Sequence, residues 1–456
     1  MRKSINESKS ARWTALGTVA IFLFCACFFT EIMTPLKPML ERELSWSSSD
    51  YGLFASAYGW LNIFFFMLIF GGLILDHKGI RFTGILSALI MLLGASIECW
   101  AISAIFPDGA TVLGIKSQVV FASIGYAIYG AGAEINFITF SKIIVKWFKD
   151  KEMALAMGLQ VSVVRIGIVL SMIVPIPLVK ALNKISAPLF LSLVLLYISF
   201  IFYLFYIKMD IHFDREFNVQ NINRHEEVFK LSDIGTILKN RNFWLLALIS
   251  LLFYSGVFPF LKYSVDLIIN KFNIQSDFAG IIPAVLPFGT LLLTPLFGHL
   301  YDKRGKGADM IVLGAILFTL VHICFALPFI RAWPIAVLLM LTLGVALSLV
   351  PSALWPTIPK IIPEKQLGTA YSLIFYMQNL GISVTSFFIG KILYKYCITG
   401  LSVDGSNTYN YTLPMLVFSM LGALAILTAL ILKAEERKAN DGQESNINVN
   451  CEMKQK

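Results

Sequence analysis

Residues 72–81 read Gly72-Leu73-Ile74-Leu75-Asp76-His77-Lys78-Gly79-Ile80-Arg81, and residues 298–306 read Gly298-His299-Leu300-Tyr301-Asp302-Lys303-Arg304-Gly305-Lys306. Both fit Gly-x-x-x-Asp-basic-x-Gly, and their aspartates stand 226 positions apart, about half of the 456-residue chain. A glycine one turn before the aspartate lets a neighbouring helix come close. The aspartate can accept from loop cations or cap a facing helix, and the second glycine permits a tight turn. One such loop would only mark topology. Two in register predict a duplicated chain with a latch in each half, made and broken as the halves move.

What these loops connect follows from composition. Apolar residues make up 57% of the chain, charged residues 14%, phenylalanines number 37, and mean hydropathy is +0.74. A soluble surface needs roughly 25–35% charged side chains. The charges lie in short loops between apolar runs of about twenty residues, the length of a bilayer-crossing helix. The chain therefore reads as an all-α polytopic membrane protein. Secreted disulfide scaffolds, nucleic-acid binders and soluble enzymes are excluded, and there is no nucleophile, nucleotide or metal motif. The six cysteines (Cys25, Cys27, Cys99, Cys324, Cys397, Cys451) lack zinc-like spacing and read as packing residues or loop and tail positions, so neither metal nor cofactor is expected. The basic N-terminus leads into a run too long for a cleavable signal, which makes it a first span.

Apolar runs and their breaks give twelve spans, near 14–36, 51–75, 83–106, 117–142, 153–178, 187–208, 242–266, 277–301, 309–330, 333–358, 366–391 and 413–433. Of the 37 Lys and Arg, 26 fall in the termini and the loops on their side, and 10 in the opposite loops. The positive-inside rule then places both termini in the cytoplasm. The cation left over, Arg165, lies inside the fifth span. The hydrophilic stretch 209–241 divides the chain into six-helix units at 1–208 and 242–433. It is read as a cytoplasmic linker with a short amphipathic helix near 228–239, and the polar tail 434–456 as disordered.

Twelve spans, a central loop and paired GxxxD[RK]xG loops resemble the major facilitator superfamily over the whole chain except its ends. The resemblance implies two six-helix bundles around a midplane cavity that opens to alternate sides. His77 and Ile80 depart from the usual pattern, in which Arg is common at both positions. The motif positions Gly72, Asp76, Gly79, Arg81, Gly298, Asp302, Lys303 and Gly305 are then gating residues.

Ionisable residues inside a bilayer cost about 2.5–3.5 kcal/mol each on insertion scales, so each is a functional candidate. Glu31, Glu98, Glu134, Arg165 and His322 lie within spans, and Lys262 and Asp266 near the outer end of the seventh, after Pro259. Glu134 lies about 12 Å from the cytoplasmic Lys142 at the helical rise, and Arg165 about 20 Å into the next, antiparallel span. Two long side chains can bridge that offset. The pair either clamps two helices or opens to bind a zwitterion, Arg165 taking a carboxylate and Glu134 an ammonium. Gln160, Asn136 and Tyr126 are candidate neighbours. Glu31 and Glu134 are the candidate proton sites; Glu98 and His322 read as interior structural residues. In the tenth span Pro351, Pro356 and Pro359 read as a hinge or a static kink beside Trp355. Tyr371, Tyr376, Gln378 and Asn379 in the eleventh, with Tyr254 in the seventh, are too polar for lipid and are assigned to the cavity.

Residues 147–167 (WFKDKEMALAMGLQVSVVRIG) and 353–381 (ALWPTIPKIIPEKQLGTAYSLIFYMQNLG) are similar to corresponding segments of the lysosomal dipeptide transporter family and its bacterial relatives. Arg165 stands at that family's RIG arginine and Glu134 at its acidic residue of span four. The resemblance implies facilitated dipeptide uniport by alternating access, with a small-molecule substrate, a lipid bilayer and no nucleic acid as partners, in a monomer. The antiporter pattern GxxxGPxxGG and the symporter pattern ExxER are missing, and Tyr126 replaces the arginine of RxxQGxG. Proton-coupled symport of a small organic anion is the alternative, and a non-transporting receptor fits less well. With no acidic dileucine signal near the N-terminus, a bacterial inner membrane is expected, or a lysosomal membrane in a eukaryote.

Overall fold

The computed structural model describes residues 9–103, 106, 109–148, 152–217, 235, 237–363, 366–402 and 405–454. Most of the linker 209–241, including most of the expected helix at 228–239, lies outside the described residues. Among those described, the chain is helical apart from two short antiparallel hairpins, Thr111–Val112 (β1) with Ile115–Lys116 (β2), and Ile398–Leu401 (β3) with Asn407–Tyr409 (β4). Ten helices are long and apolar enough to cross a membrane. The face that carries the start of the first helix is termed inner here, and the opposite face outer.

The first half contains Lys9–Glu31 (α1), Lys37–Leu44 (α2), Ser48–Ala57 (α3), Trp60–Phe64 (α4), Met67–Ile102 (α5), Ser117–Phe148 (α6), Met153–Ile173 (α7), Pro175–Leu182 (α8) and Ala187–Phe217 (α9). The second half contains Arg241–Phe272 (α10), Ser276–Ala279 (α11), Ile281–Arg304 (α12), Gly307–Ala326 (α13), Trp333–Ile361 (α14), Leu367–Tyr396 (α15) and Thr412–Lys454 (α16). In the first half α5 packs on α6, and α1 on α7 and α9; in the second α13 packs on α14 and α16, and α12 on α14. The halves meet where α3 packs on α15 and α7 on α12.

Several spans differ from their sequence outline. The second is interrupted: α3 ends at Ala57, α4 is five residues long, and Phe66 adopts a left-handed backbone (φ 52°) before α5 begins. Phe64, Phe65 and Phe66 are consecutive bulky aromatics, all exposed, so no buried face holds this stretch to helical period. The second and third spans share α5, which turns at Gly79 with φ 76°, a backbone only glycine adopts without strain. The fourth span, α6, is long enough to cross, but Glu134, Asn136 and Lys142 dilute its apolar character. The three prolines leave α14 one helix. Pro359 has no N–H, so the Trp355 carbonyl is free, and the Tyr371 hydroxyl donates to it at 3.5 Å. The last helix continues beyond Lys433, where no proline or glycine stops it before Gly442.

Close helix approach occurs at glycines other than those in the motif. A side chain at Gly125 would collide with the backbone of Glu98 on α5, which is why α5 and α6 pack so tightly. At Gly72 and Gly298 a Cβ would meet nothing within 4 Å. The close approach expected at those two positions is therefore not made among the described residues.

Between described residues, the hydrogen bonds and ion pairs that join the halves all lie towards the outer face. Lys37, fully buried, donates to Glu41 at 2.7 Å within its own half and to Asp266 on α10 at 2.6 Å. The Tyr409 hydroxyl donates to both oxygens of Glu41 (2.9 and 3.0 Å), the Tyr411 hydroxyl to Asp266, and Ser48 to Glu41 at 2.8 Å. Lys180 pairs with Asp277, and the Tyr51 hydroxyl donates to the Lys262 carbonyl at 3.0 Å. The structure is thus fastened on its outer side.

Removing one member of a buried ion cluster strands the rest, at about 3–5 kcal/mol. Lys37→Met should therefore lower thermal stability by that order. The triple neutral variant Lys37→Met, Glu41→Gln, Asp266→Asn should recover most of it, as read by thermal unfolding in detergent.

Candidate functional site

Arg165 sits half-buried on α7. Two residues on, Gly167 packs directly on the α1 backbone at Phe24 and Phe28. The Arg165 guanidinium lies near Tyr254 on α10, in the other half, and near Cys27 on α1. Its Nε is enclosed with no hydrogen-bond partner, and no ion pair joins it to Glu134 among the described residues.

Glu134 instead accepts from the Tyr58 hydroxyl at 3.2 Å. Tyr58 closes α3 at the interruption of the second span, and Gly130 on α6 makes room there, since a side chain would collide with the Tyr58 carbonyl. The carboxylate opens onto a cavity of about 100 Å³ between α1 and α6, lined also by Cys27, Thr30 and Asn136. That volume holds about three waters. Cys27 interacts electrostatically with Arg165, Glu31 and Glu134 alike, so the opposite charges border one region without touching. The Glu134–Arg165 clamp is therefore open in this conformation.

The remaining candidates divide. Tyr254 accepts from Trp355 Nε1 at 3.2 Å, and the Trp355 ring stacks on Phe375 at 4.9 Å. Tyr376 stacks on Phe66 of the other half at 5.3 Å. Gln378 Oε1 is buried without a partner. Of these, Tyr254, near Arg165, and Tyr376, on Phe66, border the seam. Gln160 is drawn away, its amide reaching Ser141 at 3.4 Å on α6, and Asn379 donates to the Phe375 carbonyl of its own helix at 3.0 Å. Asn136 donates to Ser87 on α5 at 3.2 Å, leaving its Oδ1 unpartnered. Tyr126 donates to the Thr30 carbonyl at 2.8 Å and accepts from Lys262 at 2.9 Å, so it belongs to the outer seam. Glu31 is there too, paired with Lys262 at 2.8 Å.

Glu98 is buried with neither carboxyl oxygen partnered. His322 is buried among Phe260, Phe318 and Phe418, and only its Nδ1 is satisfied, by the Phe318 carbonyl at 2.8 Å. The two motif loops differ. Asp76 pairs with Lys142 at 2.6 Å, and Arg81 bonds Asp210 at 2.6 Å and Asp214, with Lys146 completing the cluster. Asp302 and Lys303 form no ion pair among the described residues, and Gly305 ends α12 in a left-handed turn (φ 63°).

Sequence reading missed Lys37, Glu41, Tyr409 and Tyr411. The first two stand four apart at the end of a span, where charge reads as loop, although i, i+4 spacing was a signal for the pair. Nothing local links them to Tyr409, which is 368 residues from Glu41.

The sequence profile described as Major Facilitator Superfamily matches residues 19–386 and 263–449. The chain is 30% identical over 388 residues to the lysosomal dipeptide transporter MFSD1 of Danio rerio, covering 81% of this chain and 78% of the relative. Its fold is similar to the crystal structure of the nucleoside transporter NupG, with TM-score 0.67, 14% identity, and 92% of this chain and 98% of that one covered. A POT family transporter in complex with a thioalcohol-conjugated peptide gives TM-score 0.68 at 14% identity, covering 93% and 96%.

Proposed function

Because the chain belongs to the major facilitator superfamily, a family of membrane transporters and not enzymes, we propose that it carries dipeptides or similar small zwitterions by facilitated uniport. The observation that carries this reading is the separation of Arg165 from Glu134. A guanidinium cannot shed its charge, and one enclosed at Nε without a partner, facing the seam, is completed by an incoming carboxylate. Glu134, held by a single tyrosine hydroxyl at the edge of a cavity, offers the matching acceptor for an ammonium. The name of the Danio rerio relative supports the same class.

Alternating access supplies the cycle. The seam is fastened outside, and the motif faces at Gly72 and Gly298 lack neighbours, so this conformation corresponds to the outer mouth closed. Rocking would separate Lys37 from Asp266 and bring the inner motif loops into contact. The excess of cations on the inner side favours the cytoplasm there, in a bacterial inner membrane. Among the described residues Glu134 has no counter-ion, which also suits a proton carrier; proton-coupled uptake of an organic anion is the second reading.

In proteoliposomes, Arg165→Ala and Glu134→Gln should each weaken dipeptide uptake about 10–100-fold, since a hydrogen bond to a charged group contributes about 1.5–3 kcal/mol. Thermal stability of Arg165→Ala should be unchanged, because no described bond is lost. Unimpaired uptake by Arg165→Ala would assign that arginine to structure. Dipeptide flux should persist when a protonophore collapses the proton gradient; abolished flux favours the symport reading.

A further inference from the structure

The Lys262 ammonium on α10 is held by three oxygens: Glu31 Oε2 at 2.8 Å, the Tyr126 hydroxyl at 2.9 Å and the Thr30 carbonyl at 3.1 Å. All three acceptors belong to the first half, on α1 and α6, whereas the ammonium is supplied by the second. Three acceptors match the three N–H bonds of a primary ammonium. The other features of the pocket favour a cation as well. Thr30 lies at the C-terminus of α1, where unpaired carbonyls carry partial negative charge. The Tyr126 ring centroid lies 5.4 Å from Nζ. Glu98, with both oxygens unpartnered, interacts electrostatically with Lys262. The acceptors are fixed independently of the lysine: Thr34 donates to Glu31 at 2.8 Å, and Tyr126 donates to the Thr30 carbonyl.

The geometry points to a primary-ammonium site on the first half, at Glu31, Thr30 and Tyr126, which Lys262 fills while the outer mouth is closed and the substrate's ammonium fills when it is open. Separation of the outer ends withdraws Lys262 with α10 and leaves the three acceptors in place. A zwitterion entering from outside then replaces one primary ammonium by another, so Glu31 is not left buried and bare in either conformation. This rests on the zwitterion reading above and extends it. Glu134 serves the inward-facing state, Glu31 the outward-facing one.

The test uses the purified full chain. In Lys262→Ala, methylammonium should raise the unfolding temperature saturably, and tetramethylammonium, which has no N–H, should not. Wild type and the Lys262→Ala, Glu31→Gln double variant should show no methylammonium effect. If Lys262→Ala does not fold, Lys262→Gln takes its place. A folded single variant without a methylammonium shift overturns the site. Glu31→Gln with Lys262 retained gives an independent reading in oriented proteoliposomes. The half-saturating dipeptide concentration should rise at least tenfold for substrate presented at the outer face and stay within twofold at the inner face; an equal change on both faces overturns the site. Absence of dipeptide transport by wild type, together with a methylammonium shift in Lys262→Ala, would overturn the dipeptide reading and leave the site for another primary ammonium. Dipeptide transport without any shift would overturn the site alone.

Discussion

A lysine ammonium taken out of water needs a counter-ion and acceptors for its protons, and in this protein that need sets the conformation. Lys37 has Glu41 in its own half, but its other carboxylate, Asp266, is across the seam. Lys262 has no acidic partner among the described residues in its own half and reaches Glu31 in the other. Both lysines therefore draw the outer ends together. The ion pairs at the inner ends, among the described residues, stay within one half, as Arg81 with Asp210 and Lys433 with Asp309, and impose no such tie. The asymmetry between a fastened and an unfastened side follows from which charges find partners at home. Because buried ion pairs recover little more than their desolvation cost, the fastening can hold one state without making it irreversible.

The interruption of the second span fits the same scheme. Tyr58 ends α3 at the level of Glu134, and its hydroxyl is that carboxylate's hydrogen-bond donor. Eight residues further, Phe66 leaves helical geometry and stacks on Tyr376 of the opposite half. One broken segment therefore touches both the acidic side of the site and the seam. A continuous helix would carry both contacts on a rigid rod. The breaks at 58–59 and 65–66 let them move separately.

Much of this was legible in sequence, and what was not has a physical cause. Apolar run length and charge clumping identify a membrane protein because backbone satisfaction in lipid leaves helices as the only option for such runs. The paired motifs predict a duplicated chain. Arg165 and Glu134 stand out because charge at depth is costly, and that argument needs no partner list. The partner list is where the reading stops. Asp210 is fully buried beneath Arg81, Lys146 and Trp147, yet in sequence it lies in a hydrophilic stretch and reads as linker. Gln160 and Asn379 are polar at the right depth but turn to Ser141 and to their own helix, a choice of rotamer that one-dimensional pattern does not record. The break at Phe66 carries no proline or glycine, so no breaker signal announced it.

Among the three cations highlighted at depth, Lys37, Lys262 and Arg165, two are paired and one has no ion pair among the described residues. The difference is informative because the costs run the other way. A lysine can lose its proton when buried, whereas arginine stays charged. A protein under pressure only to fold would pair the arginine first. Here the side chain least able to become neutral is the one left without a carboxylate, while Glu134 borders the same region and is held off by a tyrosine. Leaving that charge unmet is tolerable where water or a solute reaches it, and the neighbours of Arg165 at the seam, Tyr254 and through it Trp355, are polar-tipped aromatics of the opposite half. A carboxylate meeting Arg165 would also stand near Tyr254 of the opposite half, so a solute that supplied it would engage both sides of the seam.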